Sequence, residues 1–280
     1  MLTQSFQMRI VESNKNGSGV CRVHNEEIGA PDERYILSSV DSALSILNLF
    51  YEHEELGASE VGKLMGMSRS TAFRFMVTLE RRGYVTKTTG GKYRLGLNLF
   101  SLGMVAYNRM ELVSLVHPYL VQMAEESGET CHVAIISDGV HVIFIDRALG
   151  SSWLKMDTAI GYSHVAHCTA TGKAILAYQS DRAINQYLRN TSFPQITKNA
   201  IPDAGALLRR LDQVRLDGYA SDDEEAEVGL TCYGMPLLDA SGKAYAAISI
   251  SGPTTRMVRH KEEHLERIAA TVKAISRTIT

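Results

Sequence analysis

Between Ala58 and Leu95 the chain reads ASEVGKLMGMSRSTAFRFMVTLERRGYVTKTTGGKYRL, two short helical periods around a glycine followed by a hairpin. Few folds accept that order in so short a span. In the first helix Ser59 can cap and Val61, Leu64 and Met65 supply an apolar face, after which Gly66 lets the backbone turn. Ser68 can cap the second helix, which sets Ala72, Phe75, Met76 and Leu79 on one side. Arg69, Ser70, Thr71, Phe73, Arg74 and Thr78 then face outward, a set of small hydroxyls and long cations that suits a major groove. Gly83 ends the helix, the residues around Val85 and Tyr93 alternate as strands, and Gly90-Gly91 close them into a wing that presents Lys87, Lys92 and Arg94. The pattern is a winged helix-turn-helix.

Charge agrees with a nucleic-acid partner. From Ser59 to Arg94 the cations are Lys63, Arg69, Arg74, Arg81, Arg82, Lys87, Lys92 and Arg94 against only Glu60 and Glu80, inside a chain of formal net charge −2. A local excess of this kind is what counterion release on a duplex rewards, whereas a winged helix that docks only protein would not need it.

At 280 residues the chain has room for a second domain. Residues 1–35 carry NKNGSG and little periodicity and are expected to form a flexible tail. SSVDSALSILNLF puts Val40, Ala43, Leu44, Leu47 and Phe50 on one stripe, with Ser39 or Asp41 near the helix start. After the wing, LGLNLFSLGMVAYNRM gathers Leu99, Phe100, Gly103, Ala106 and Tyr107 on one face. A glycine inside a helix costs about 1 kcal/mol relative to alanine, so Gly103 suggests a close neighbour, either a second copy of this linker helix or the chain's own core.

From Met110 onward helices and hairpins mix. Leu112, Leu115, Val116, Leu120 and Met123 make a helix ended by Gly128, the runs 131–137 and 140–147 flank Ser-Asp-Gly, and Trp153–Met156 reads as a third strand. GYSHVAHC leads to a helix near Thr169, DRAINQYLRN forms another, and Asp203 caps one that turns Leu207, Leu208, Leu211 and Val214 inward before Gly218. Two strands around Leu230–Leu238 and 243–251, then an amphipathic helix after Arg256, complete an α+β domain with an antiparallel sheet and flanking helices. No run of apolar residues is long enough for a membrane span and no signal pattern opens the chain, so a cytoplasmic protein is expected. Cys21, Cys131, Cys168 and Cys232 lack CxxC spacing and read as free thiols.

Six segments, SVDSALSIL, SRSTAFRFMVTLERRGYV, GGKYRLG, HCTATGKAILA, DDEEAEVGLTC and SISGP, resemble those of IclR-type transcriptional regulators in the same order. The resemblance implies a winged-helix DNA-binding domain over 36–96, a linker and dimerisation helix over 97–109 and a GAF-like effector-binding domain over 110–280. It also implies a homodimer or dimer of dimers on a double-stranded operator, with operator binding modulated by a small organic acid or aromatic metabolite. Phe73 stands where the family often has histidine, and Cys168 where it often has alanine. By the same resemblance Gly161, Tyr162, Asp222, Cys232, Ser249 and Ser251 surround the effector. Ser249 and Ser251, two apart on a strand, point the same way; on an outer face they would be ordinary solvated serines, and 222–227 a solvated acidic loop.

Catalysis is not expected. Cys232, His167 and Asp222 could supply a thiol, a base and an orienting carboxylate, but no local signature surrounds them. TATGKA is not a phosphate loop, since His167 replaces the leading glycine and Ala174 the hydroxyl after Lys173. His132, His141, His164 and His167 lack compact ligand spacing, so neither metal nor cofactor is expected.

Overall fold

A computed structural model describes residues 35–279, and its contacts divide into two compact units that part between Met110 and Glu111. The expected tail lies, but for Tyr35, outside the described residues. The first unit runs α1 (Ser38–Asn48), a single 3-10 turn, α2 (Ala58–Leu64), α3 (Arg69–Arg81), β1 (Val85–Lys87), β2 (Tyr93–Leu95) and α4 (Leu97–Asn108). Its core joins Ile46 and Phe50 to Leu56, Val61, Ala72, Met76, Leu79, Val85 and Tyr93. Gly66 takes a left-handed backbone (φ 64°) at the turn between α2 and α3, a conformation only glycine adopts without strain. The wing gains a third edge because Leu56 and Tyr93 exchange two backbone hydrogen bonds of 2.9 Å.

Three local expectations change. Ser59 is not a cap: α2 begins after Gly57, whose amide donates to Glu60 Oε2 at 2.7 Å, and Ser59 sits inside the first turn. The Val61 amide already bonds the Gly57 carbonyl at 3.0 Å, so the helix has begun before Ser59 and its hydroxyl is not at the cap position. The buried stripe of α1 is rotated, so Val40 and Leu44 are exposed and Ile46 is buried, and Leu64 of α2 is likewise exposed. Helix α4 buries none of its side chains; Leu97 is 83% and Phe100 67% exposed.

The second unit holds a six-stranded antiparallel sheet in the order β5-β4-β3-β8-β7-β6: β3 (Thr130–Ile136), β4 (His141–Ala148), β5 (Ser163–Val165), β6 (Ala220–Asp223), β7 (Leu230–Leu238) and β8 (Ala244–Pro253). Around it stand α5 (Glu111–Ser127), α6 (Ala170–Ala177), α7 (Asp181–Asn190), α8 (Ala204–Asp217), α9 (Thr254–Arg259) and α10 (Lys261–Ile279). On one face α6 lies across β7 and β8 with α8 behind it, burying Ala134, Phe144, Ala174, Ile175, Leu207, Leu211 and Ala247 together. On the other, α10 sets the Lys261 ammonium 5.8 Å from the Tyr233 ring centre.

Trp153–Met156 is not a strand. Its backbone is held from the side, with Thr130 Oγ1 donating to the Met156 carbonyl at 2.7 Å and Arg256 to that of Leu154 at 2.6 Å, and the edge of β4 pairs with Ser163–Val165 instead. Leu208 is exposed, unlike Leu207, Leu211 and Val214. Strand β6 occupies residues expected to be loop, because Asp222 pairs with Cys232 in register.

Candidate DNA interface and effector site

Helix α3 begins with a knot of hydroxyls. Ser68 Oγ accepts the Thr71 amide at 3.1 Å and stands 2.9 Å from both Ser70 Oγ and Thr71 Oγ1, so the cap satisfies an amide the helix leaves free. Arg69, Ser70, Thr71, Phe73 and Arg74 are all exposed, opposite buried Ala72 and Met76. Phe73 is 49% exposed, an apolar surface set among cations. The wing is less uniform than its sequence. Lys87 and Arg94 are exposed, whereas Lys92 Nζ is 2.9 Å from Glu60 Oε1, the carboxylate that caps α2. One of the three wing cations is therefore partly neutralised from within.

Four of the residues expected to surround an effector, Asp222, Cys232, Ser249 and Ser251, converge on the sheet face beneath α6. Asp222 pairs with Cys232, Cys232 with Ser251, and Ser249 with Gly234, so alternation points all these side chains one way. Gly234 is what lets the helix approach: a Cβ there would lie 3.2 Å from the Ala170 carbonyl carbon and 3.3 Å from the Thr171 nitrogen. The start of α6 thus hangs over the strands. Between them lies a cavity of about 40 Å³ lined by Tyr162, Asp222, Cys232, Ser249 and Ser251 and also by Phe144, Met156, His164, Thr169, Ala170, Thr171 and Ala226. At roughly 10–15 Å³ per water it has room for about three waters. A larger open groove between α5 and α10, lined by Tyr119, Glu126 and Glu263 among others, contains none of the expected residues.

Of the six expected effector residues, Gly161 does not line the cavity. Its amide instead donates to the Phe144 carbonyl at 2.8 Å, which brings Tyr162 into stacked contact with Phe144, centroids 6.5 Å apart. The sequence places this helix start near Thr169 but gives it no part in the site. Thr169 caps α6 by accepting the Gly172 amide at 3.0 Å, and its own carbonyl takes the Lys173 amide. The amides of Ala170 and Thr171 have no partner within the helix. Thr171 Oγ1 is buried with no hydrogen-bond partner. TATGKA carried this signal as a threonine three residues before a glycine at a helix start, but was weighed only as a phosphate loop.

Asp222 is 3% exposed, and Ser249 and Ser251 are each 2% exposed, so none is solvated. Asp222 Oδ1 accepts the Glu225 amide at 2.8 Å and that of Ala226 at 3.3 Å, folding the acidic run back on itself. Glu225 is buried too, its Oε2 2.5 Å from the fully buried Lys173 Nζ. Burial raises the Asp222 carboxyl to about 6; the Lys173 charge opposes the rise and that of Glu225 adds to it. Burial and the neighbouring Asp222 also push the Cys232 thiol far up, which makes a thiolate nucleophile inaccessible. His167 is held at Nδ1 by Tyr187 Oη at 2.6 Å, away from that role. Among the described residues no group of histidines, cysteines and carboxylates could hold a metal ion, and no helix is long and apolar enough to cross a membrane.

Residues 39–89 match the IclR helix-turn-helix domain, and residues 104–279 match the C-terminal domain of bacterial IclR transcriptional regulators. The chain is 33% identical over 245 residues to the HTH-type transcriptional regulator KdgR of Escherichia coli, covering 87% of this chain and 92% of that one. It superposes on the crystal structure of the Thermotoga maritima IclR with TM-score 0.64 at 30% identity, covering 86% and 98%. A Microbacterium hydrocarbonoxydans IclR homologue complexed with 4-hydroxybenzoate shares the fold at TM-score 0.71 and 20% identity, over 86% of this chain and 98% of that chain. The chain therefore belongs to the IclR family and is a DNA-binding transcriptional regulator with a C-terminal effector-binding domain.

Proposed function

We propose that this regulator acts in the cytoplasm as a homodimer or dimer of dimers whose grip on a double-stranded operator is set by a small carboxylate. In this reading residues 36–96 bind DNA, 97–109 form the linker helix and 110–280 hold the effector. Arg69, Ser70, Thr71, Phe73 and Arg74 enter the groove, and Lys87 and Arg94 hold phosphates with a smaller share from Lys92. The exposed apolar side chains of α4 support a pairing of linker helices, which would present two half-sites' worth of readers. Ser59, exposed inside α2 and no longer needed as a cap, can contact the backbone.

The carrying observation for the effector is the start of α6, where Thr171 Oγ1 is buried and unpartnered beside two free amides. A helix start favours an anion, and Ser249 and Ser251 offer further hydroxyls across the cavity. Asp222, with its carboxyl raised to about 6, tolerates an acid more readily than an ordinary aspartate would. The neighbour solved with 4-hydroxybenzoate fits the same class. Thermal denaturation of the full chain with pyruvate, lactate, benzoate and 4-hydroxybenzoate tests this, because a ligand that binds only the native state raises Tm. At least one acid should raise it in wild type and not in Thr171→Val. An equal rise in both would move the anion site elsewhere.

A further inference from the structure

We propose that His132 is an effector-reading residue, a buried neutral imidazole that hydrogen-bonds a second oxygen function of the ligand, so that the effector is a carboxylate also bearing a hydroxyl or keto oxygen. This rests on the effector reading of the cavity. His132 is 0% exposed in the middle of β3, and both of its ring nitrogens are buried without a partner. Few buried polar groups go unsatisfied in folded proteins, and one with both atoms unpaired calls for a water or a ligand.

Its place on the sheet favours the ligand. In register His132 faces Ser249 on β8 and Arg147 on β4, so its ring stands on the face beneath α6. Ser249 lines the cavity, and so does Phe144, whose ring centre lies 5.0 Å from that of the imidazole. Two residues earlier, Thr130 donates to the carbonyl of Met156, another lining residue. The histidine thus stands one layer behind the cavity, in register with its Ser249 and against its Phe144 rather than in the lining itself. Arg147, the nearest cation, is committed to Asp157 and to the Thr158 carbonyl, so it does not answer the imidazole.

Chemistry narrows what the ring would read. Burial holds the imidazole neutral, near 4, and a neutral ring carries one donor and one acceptor. It can donate to a keto oxygen, or donate to and accept from a hydroxyl. It adds no charge to a site where the start of α6 already takes the carboxylate. The two unpaired elements, Thr171 above and His132 in the sheet, therefore ask for two different polar groups on one small molecule.

The test uses matched pairs of acids on the full chain: lactate and pyruvate against propionate, and 4-hydroxybenzoate against benzoate, by calorimetry with wild type, His132→Phe and His132→Asn. In wild type the oxygenated member of a pair should bind at least tenfold more tightly than its partner. His132→Phe should remove that preference and leave the plain acid within about twofold, while His132→Asn, which keeps one donor, should restore part of it and serves if the phenylalanine variant fails to fold. Loss of both members of a pair alike, or an unchanged preference, would show that His132 only supports the sheet or holds a water, and the inference would fall alone. Should no acid bind the wild type, the effector reading falls and takes this inference with it.

Discussion

Asp222→Asn isolates the electrostatics of the effector face. In the folded chain the Asp222 carboxyl sits at about 6 against an ordinary 3.8, chiefly through burial. An acid raised on folding binds its proton more tightly in the native state, so the stability it contributes is full below pH 4 and is lost as pH rises through 6. Two pH units at about 1.4 kcal/mol each give a loss on the order of 3 kcal/mol. Asparagine keeps an oxygen to accept the Glu225 and Ala226 amides but cannot ionise. Other carboxyls, such as Asp138, lowered to about 2, move wild type and variant together and cancel in the difference. Relative to wild type the variant should therefore gain about 3 kcal/mol between pH 4 and pH 7, or roughly 6–12 °C in Tm for a unit of this size. Calorimetric melts at half-unit pH intervals measure it. A difference flat across that range would show that Lys173 holds Asp222 ionised throughout, refuting the assignment of burial as the ruling cause.

Three further outcomes concern DNA and assembly. Arg74→Ala, exposed on the outer face of α3, should weaken operator binding by about 1–3 kcal/mol if it grips a base edge; an unchanged gel-shift affinity in a folded variant counts against it. Neutralising Lys87 or Arg94 should lower the salt slope of binding by about one each, and Lys92→Gln by less, because Glu60 already holds that ammonium at 2.9 Å; equal slopes for all three would show that the pair opens on DNA. Leu97→Asp with Phe100→Asp should turn the protein into monomers in light scattering at micromolar concentration, and an unchanged mass would place the dimer contact elsewhere.

The first unit was legible because its signals are local. A cap at Ser68, a left-handed glycine at 66, another at 83 and a 3.6 period from Ala72 to Leu79 each act within a few residues. Its departures are also local, competitions that periodicity cannot decide: Gly57 against Ser59 for the start of α2, and Ile46 against Val40 and Leu44 for one core. The second unit hid what depends on pairing. Asp222 reads as solvated acid until β7 is seen to run beside it, and Trp153–Met156 reads as strand until Ser163–Val165 takes its edge. The start of α6 is legible as a helix start near Thr169, but its place in the site is not, because that depends on Gly234, more than sixty residues away, which admits it to the sheet. The two-residue spacing of Ser249 and Ser251 puts them on one face whatever the pairing, but only the family resemblance sets that face inside.

The sheet face beneath α6 departs from what stability alone would select. Thr130, His132, Asp222, Cys232, Ser249 and Ser251 occupy buried positions there, while on the opposite face Val133, Tyr233, Ile248 and Ile250 fill the same strands with apolar bulk. Each buried polar group without a partner costs about 1–3 kcal/mol; unpaired Thr171 Oγ1 lines the small cavity, and unpaired His132 lies beside its Ser249 and Phe144. A ligand that supplied those partners would relieve the cost only where these walls are assembled as they are here. Differential affinity of that kind is the physical requirement for a small molecule to move a conformational equilibrium. On the proposed reading, the polar face would therefore be the part of the domain through which an effector acts.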